Sequence, residues 1–366
     1  MSAQTGDAVG APQGDLRAHR DNIDRIDAEI LALLTERGAE ALAIGRLKHG
    51  RSQAVYAPDR EQAVFDRLRA LNADGVYSDE AVTAIYREII SASRALETPL
   101  RIAYFGPEAS FTHIAARGRF GVSVEYDPQA AQADVFREVE HRRSDYGVVP
   151  VANSTMGVVI DTLDLFADSP LRICGEIHLP IVHNLLARCA IGDVRRIYSH
   201  QQAFAQCREW LRERLPGVEQ IIVSNTAEAA RRAAEEDGVA AVSSGLAAEV
   251  YGLDRLVEHI EDKADNVTRF LVIGRHGVKP TGADKTSLRF TVPNRPGALV
   301  RVLEQFGPRG IDLTKVESRP SPDRSWDYVF YADVTGHADA EPLSLALQEA
   351  EQVCQSLKVL GSYPRA

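Results

Sequence analysis

The chain has 366 residues, 45% hydrophobic and 26% charged, a length that fits roughly two to three domains. Those proportions exclude a mostly disordered chain, a collagen-like one and a small disulfide scaffold. With 42 basic and 52 acidic side chains the net charge is −10, which argues against a non-specific nucleic-acid binder.

Residues 1–15 carry neither a basic cluster nor an apolar run, so a disordered tail is expected rather than a signal peptide. Residues 16–98 read as helix almost throughout. Ile23, Ile26, Ile30, Leu33 and Leu34 recur at helical spacing in a pattern that runs to Lys48 without proline. Pro58 suits the first turn of a second helix, and Ser78 is the expected N-cap of a third that ends before Pro99. Three helices with one very long member bury their apolar faces poorly alone, so a helical dimer is expected.

Residues 100–275 change period. Short apolar runs at 101–105, 146–151, 221–223, 239–242 and 270–273 alternate with helical stretches such as 203–214 and 226–236. That alternation predicts an α/β unit with a mainly parallel sheet, in one body or two lobes around a cleft. Residues 276–285 are a linker by composition. Residues 286–363 read strand, helix, strand, strand, helix, strand, the order of a ferredoxin-like α+β domain. Cys174, Cys189, Cys207 and Cys354 have no paired spacing and read as reduced thiols of a cytoplasmic protein. The chain has no His-Glu-x-x-His, no Gly-rich phosphate loop and no Gly-x-Ser-x-Gly elbow, and no run long enough to span a membrane is seen.

In the helical segment, Arg37 and Lys48 are 11 residues apart, roughly 20° from one face at about 100° per residue. Arg20 projects from another face, and Ser93 and Glu97 share one. Taken singly these are ordinary solvated charges. Taken as a string, His19–Asp24, Asp27–Arg37, Gly45–Lys48 and Pro58–Glu61 resemble the all-helical chorismate mutase domain. The resemblance implies a domain-swapped dimer in which Arg20 of the partner chain, Arg37 and Arg60 bind carboxylates. Lys48 and Glu97 would flank the ether oxygen, and Glu61 and Ser93 would meet the hydroxyl end of chorismate. A Claisen rearrangement needs no nucleophile; it needs a locked conformer and donors where charge grows on oxygen. Ala57 and Glu97 depart from the commonest pattern. Only a protonated acid donates, so either burial keeps Glu97 protonated or mutase activity favours mildly acidic pH.

Four polar clusters follow in the central segment: Gly106–His113, Asn153–Gly157, Ser199–Gln202 and Asn266–Phe270. Each alone is an ordinary cap or turn. Together, at strand–helix junctions where α/β proteins bind ligands, they resemble prephenate dehydratase, as do Tyr146–Pro150 and Ala203–Cys207. The resemblance implies a fold like two-lobed periplasmic binding proteins with prephenate in the cleft. Thr268 is the expected hydroxyl at the chemistry. Asn153, Ser154 and Gln202 would orient the substrate, and Ser110, Thr112, Arg269 and Phe270 would help hold it. An internal ion pair is the structural alternative for Arg269; His200 has the intrinsic pKa of a proton donor, but its neighbours point to a helix start. No metal or other cofactor is called for, because aromatisation drives the reaction. Ala152 stands where relatives usually carry Glu, which puts a carboxylic acid donor there in doubt, and Gln201 replaces a usual Pro.

At the C-terminal segment, the turn Asn294, Pro296, Gly297, Ala298 and Leu299, and the strand end Glu317, Ser318, Arg319 and Pro320, resemble the paired ligand motifs of an ACT regulatory domain. The implied effector is phenylalanine, bound between two ACT domains of a dimer. The parts together imply a bifunctional, cytoplasmic, homodimeric or tetrameric enzyme of phenylalanine biosynthesis with two small-molecule substrates and no nucleic-acid or membrane partner. Two alternatives stand beside it: a dehydratase that prefers arogenate, and an amino-acid sensor with degraded active sites.

Overall fold

The computed structural model describes residues 13–48, 58–97, 99–320 and 328–365. The expected tail up to Pro12, and Ala57, lie outside the described residues, as does the side chain of Lys48.

Three helices open the chain: α1 (Gln13–Lys48), α2 (Pro58–Leu71) and α3 (Asp79–Glu97). Pro58 starts α2, where a missing N–H costs nothing. Ser78 Oγ accepts the Ala81 N–H at 3.2 Å and caps α3. Phe65, Leu68 and Ile90 close the seam between α2 and α3. α1 leaves Ile23, Ile26, Ile30 and Leu33 43–64% exposed, an apolar stripe without cover in a single chain.

The central unit has two lobes. The first holds β1 (Arg101–Phe105), α4 (Phe111–Phe120), β2 (Glu125–Gln129), α5 (Gln132–Glu140), β3 (Tyr146–Asn153), β4 (Gly157–Val158), α6 (Ile160–Leu165) and β5 (Arg172–Pro180). The second holds β6 (Asn184–Ala187), β7 (Arg196–Ser199), α7 (Gln201–Gln206), α8 (Arg208–Arg214), β8 (Glu219–Ile222), α9 (Thr226–Glu235), β9 (Val239–Ser243), α10 (Gly245–Tyr251) and β10 (Asp254–Val257). The chain then returns to the first lobe as β11 (Val267–Gly274). The strand orders are β2-β1-β3-β11-β5 and β10-β6-β9-β7-β8. Both sheets are mixed, which corrects the expectation of mainly parallel sheets. The βαβ pairings of β1 with β2 and β3, and of β7 with β8 and β9, are parallel. The returning strand β11 runs antiparallel between β3 and β5, because it enters the sheet from the hinge end. The two hinge segments bond to each other through Ile181 N–H to Asn266 O (2.8 Å) and Ile260 N–H to His183 O (2.9 Å). The helix expected over 203–214 is broken at Cys207. The carboxylate of Asp262, from the hinge, accepts the N–H groups of Glu209 and Trp210, both at 3.1 Å, and starts α8 afresh.

The last unit has β12 (Asp284–Thr291), α11 (Ala298–Leu303), β13 (Leu313–Pro320), β14 (Tyr328–Thr335), α12 (Leu343–Val353) and β15 (Ser356–Pro364), with strand order β13-β14-β12-β15. Asp284, placed in the linker by composition, begins β12. Its buried carboxylate takes the N–H groups of Thr281 (2.8 Å) and Gly282 (3.1 Å) and folds the preceding residues into a turn.

The units share buried contacts. Val329, Tyr331, Leu360 and Tyr363 of the last unit lie in one apolar core with Val149, Leu163, Phe166 and Ile173 of the first lobe. Here β15 approaches β5 so closely that a Cβ on Gly361 would sit 2.2 Å from the Ile173 carbonyl oxygen. On the other side, α3 docks through Glu88 and Ser91, which accept the N–H groups of Val122 (3.0 Å) and Ser123 (3.2 Å). Gly361→Ala is therefore expected to destabilise the chain by about 1–3 kcal/mol through overpacking at this junction. Urea denaturation midpoints compared with Gly307→Ala, whose Cβ would meet nothing within 4 Å, check this.

Candidate functional site

Between the lobes lies a cleft of about 1210 Å³. It is built from the junctions that follow β1, β3, β7 and β8 and from the hinge. Ser110, Thr112, Asn153, Gln202, Thr268 and Phe270 all line it. Ser110 Oγ accepts the His113 N–H at 3.3 Å as the N-cap of α4. His200 caps α7, its Nδ1 accepting the Gln202 N–H at 3.3 Å, and burial lowers its pKa, so the helix-start role holds.

The centre of the cleft is a chain of amide and hydroxyl groups with one consistent orientation. Asn153 Oδ1 accepts the N–H groups of Thr155 (2.9 Å) and Met156 (3.0 Å). Its Nδ2 must then point the other way, where it donates to Asn266 Oδ1 and to Thr268 Oγ1, each at 2.8 Å. Thr268 Oγ1 is thus an acceptor from Asn153, and its own hydrogen is left for a group in the cleft. Strand alternation puts Thr268 and Phe270 on the cleft side of β11.

Two expected residues stand elsewhere. Ser154 is exposed and off the cleft lining; its Oγ donates to Asp265 O (3.2 Å) and accepts the Val267 N–H (3.0 Å), tying β3 to the hinge. Arg269 points to the opposite face of the sheet. Its Nε meets Glu176 (2.7 Å), and its two terminal nitrogens meet Asp333 (2.5 Å) and the Tyr363 hydroxyl (2.8 Å). The internal ion-pair alternative is what the structure shows, and a substrate contact for Arg269 is corrected. Among the described residues the cleft lining holds one arginine, Arg231, which the sequence reading missed. It pairs with Glu228 (2.9 Å) and Glu235 (2.8 Å), and hydrogen bonds from Arg231 and Arg232 hold the Glu228 carboxyl down at about 2.

The Gly106–Ser110 turn is strained at Ala109, whose φ is +62°. Two bonds hold it there: Ala109 N–H to His113 Nδ1 (3.1 Å) and Ser244 Oγ to Ala109 O (3.0 Å). His113 stacks on Tyr104, and burial pulls its pKa down to about 4.

In the helical unit, Arg37 donates to Ser93, whose hydroxyl donates in turn to Ile89 O at 2.7 Å. Glu97 packs over Gly45, where a Cβ would approach its Cγ to 2.8 Å. Arg20 and Arg60 are exposed. Glu61 differs from expectation. It is 4% exposed and lies 3.3 Å from Arg94 and 3.7 Å from Arg119 of the dehydratase-like unit, so ion pairs hold it in this chain.

In the last unit, Gly297 has φ +76° and opens α11, with Asn294 and Pro296 in the turn before it and Ala298 and Leu299 in the first helical turn. Glu317, Ser318 and Pro320 lie on the edge strand β13. Arg319 reaches out of its own domain to Asp164 (2.6 Å) and Ile160 O (3.2 Å) on α6.

Comparison with known proteins follows the same three parts. The family model for chorismate mutase type II matches residues 19–98, that for prephenate dehydratase residues 102–278, and that for the ACT domain residues 286–352. A bifunctional chorismate mutase/prephenate dehydratase from Aquifex aeolicus is 49% identical over 356 residues, 96% of this chain and 98% of that protein. One from Neisseria gonorrhoeae is 47% identical over 352 residues, 95% and 96% of the two chains. The solved prephenate dehydratase of Arthrobacter aurescens in complex with L-Phe matches with a TM-score of 0.68 at 35% identity, covering 73% of this chain and 90% of that one. GqqA, described as a novel type of quorum-quenching acylase, matches with the same TM-score at 31% identity, covering 73% and 98%.

His113 must be neutral to accept the Ala109 N–H. Its folded pKa lies below the unfolded value of about 6.5, so this contribution to stability is complete above about pH 6.5 and is lost as pH falls towards about 4. Stability measured across that range should fall less steeply in His113→Asn, which keeps an acceptor without the titration.

Proposed function

The chain belongs to the bifunctional chorismate mutase/prephenate dehydratase family, and from that premise we propose how its residues divide the work. It rearranges chorismate to prephenate and converts prephenate to phenylpyruvate, carbon dioxide and water. The observation that carries the dehydratase assignment to particular atoms is Asn153 Nδ2 donating to Thr268 Oγ1 in the cleft, which leaves the hydroxyl hydrogen for a bound group.

In the dehydratase step the C1–carboxylate bond breaks, its electron pair enters the ring, and the C4–oxygen bond breaks. One proton from solvent joins the departing oxygen, so prephenate dianion plus a proton yields phenylpyruvate monoanion, CO2 and water. Thr268 donates to that oxygen and stabilises the charge that grows on it. Ser110 and Thr112, at the start of the ten-residue helix α4, and Gln202 position the substrate. In the mutase step Arg37 and Arg60 hold the carboxylates, Lys48 and Glu97 flank the ether oxygen, and Ser93 meets the hydroxyl end of chorismate. Arg20 reaches the site from a second chain, and the exposed stripe of α1 supports that dimer. The four cysteines are unpaired, which supports a reducing, cytoplasmic setting. Among the described residues no helix is long and apolar enough to cross a membrane.

Phenylalanine, bound at the Gly297 turn and β13 of paired ACT domains, inhibits the dehydratase. The support is a grip of the ACT domain on α6, the helix after the cleft-lining residues Met156–Val159. Arg319 donates to the Ile160 carbonyl at its start and to Asp164 near its end, and the Tyr331 hydroxyl donates to Leu163 O at 3.0 Å. Lys358 Nζ donates to the carbonyls of Phe166 (2.9 Å), Ala167 (3.2 Å) and Ser169 (2.8 Å) just beyond it. A movement of the ACT domain is thereby passed to one wall of the cleft.

Purified protein given chorismate alone should release phenylpyruvate, less of it when phenylalanine is present. Thr268→Ala should cut dehydratase turnover by about 100-fold or more while prephenate still forms. Full phenylpyruvate production by that variant would remove Thr268 from the mechanism. Lys358→Met should keep phenylalanine binding, measured by calorimetry, and weaken its inhibition several-fold. Inhibition unchanged from the parent would show that α6 does not carry the signal.

A further inference from the structure

The cleft contains two buried polar atoms to which the mechanism above gives no task. Asn266 is 4% exposed and His183 is 2% exposed. Both line the cleft, yet Asn266 Nδ2 and His183 Nδ1 have no hydrogen-bond partner among the described residues. A buried donor or acceptor left without a partner loses its hydration with nothing in return, so two in one cavity point to a ligand that satisfies them.

Their polarity is set by their neighbours. Asn153 donates to Asn266 Oδ1, and Thr155 Oγ1 lies 3.4 Å from the same oxygen, so the Asn266 amide turns its Nδ2 donor outward. Gln206 Oε1 lies 2.7 Å from His183 Nε2, so that nitrogen carries the ring proton and Nδ1 is a lone pair. The imidazole is packed edge-on against Phe111, and burial favours its neutral form. The two residues lie on the two hinge segments, and Ile181, two residues before His183, donates to the Asn266 carbonyl.

An acceptor with no proton repels a carboxylate and attracts a hydroxyl hydrogen. A hydroxyl oxygen, in turn, accepts from donors such as Asn266 Nδ2 and Thr268 Oγ1, whose side chains one Asn153 nitrogen holds side by side, at 2.8 Å from Asn266 Oδ1 and 2.8 Å from Thr268 Oγ1. We propose that His183 and Asn266 bind the ring hydroxyl of prephenate at the hinge: the hydroxyl donates to His183 Nδ1 while Asn266 and Thr268 donate to its oxygen. This fixes the substrate's direction in the cleft. The leaving oxygen sits at the hinge, and the carboxylates point outward to the starts of α4 and α9. The proposal rests on the dehydratase reading and adds to it the contacts of the departing group.

The product offers a control, because phenylpyruvate has no ring hydroxyl. Asn266→Asp keeps the acceptor that faces Asn153 and replaces the outward donor with an acceptor. It should lower kcat/KM for prephenate about 100-fold. His183→Phe keeps the ring volume and should lower kcat/KM about 10-fold or more, with part of the loss recovered in His183→Asn, whose Oδ1 is again an acceptor. In all three the inhibition constant of phenylpyruvate as a product inhibitor should stay within about twofold of the parent value. Equal losses of turnover and of phenylpyruvate affinity would mark a merely structural role and overturn the proposal. Variants with normal kcat/KM would overturn it too. A parent enzyme that makes no phenylpyruvate would instead overturn the dehydratase reading, and this proposal with it.

Discussion

The buried guanidinium of Arg269 is the point on which the arrangement of the dehydratase and ACT domains depends. Its neighbours are Glu176 of the first lobe and Asp333 and Tyr363 of the ACT domain, and Lys285 reaches the same Glu176 at 2.8 Å. Arg269 and Lys285 meet Glu176 and Asp333 in a space where the Glu176 side chain is fully buried. Burial works against the charge on Arg269, but Tyr363, Asp333 and Glu176 more than offset it and hold the group cationic. Removing one partner from such a cluster costs about 3–5 kcal/mol, because the others remain buried and unpaired. Strand alternation gives the cluster a second consequence. Thr268 and Phe270 face the cleft and Arg269 faces the ACT domain, so one strand carries the chemistry on one side and the regulatory junction on the other.

The mutase junction is built differently. It uses peptide N–H groups and a close backbone approach: a Cβ on Gly121 would lie 2.5 Å from that of Ser91. Glu61 adds charge, held between Arg94 of its own domain and Arg119 of the next. A residue expected to face substrate is therefore also a contact between the two enzymatic domains. The long helix α1 has no such cover. Its apolar stripe calls for a second helix surface, which the same resemblance that assigns Arg20 to a partner chain supplies.

What could be read from the sequence was local. Pro58, Ser78 and the helical spacing of Ile23 to Leu34 place three helices, because caps and periodicity act within a few residues. Asn153, Thr268 and Gln202 were found because they lie in short polar clusters at strand ends. What the sequence leaves open or hides depends on partners far along the chain. Arg269 meets groups 93, 64 and 94 residues away, and no local signal tells a buried ion pair from a substrate clamp. The break at Cys207 comes from Asp262 in the hinge, and the mixed sheets from a strand that returns after the whole second lobe. Asn266 was in view beside Thr268, but its importance follows from the direction of its amide, which only the contacts with Asn153 reveal.

Ala152 shows how the two kinds of information combine. As a sequence difference it raised doubt about an acid in the cleft and supported the reading of a degraded site. In the sheet Ala152 pairs directly with Arg269 across β3 and β11, and paired residues share a face. That face packs into the apolar core shared with the ACT domain, where Ala152 lies against it. A side chain at 152 thus points away from Thr268, and its charge is missing from the junction, not from the chemistry. Arg269 already meets Asp333 and Glu176 on that face, and Lys285 meets Glu176. The cleft keeps its oriented donors whatever stands at 152, because Asn153 and Thr268 pair on the other face of the same two strands.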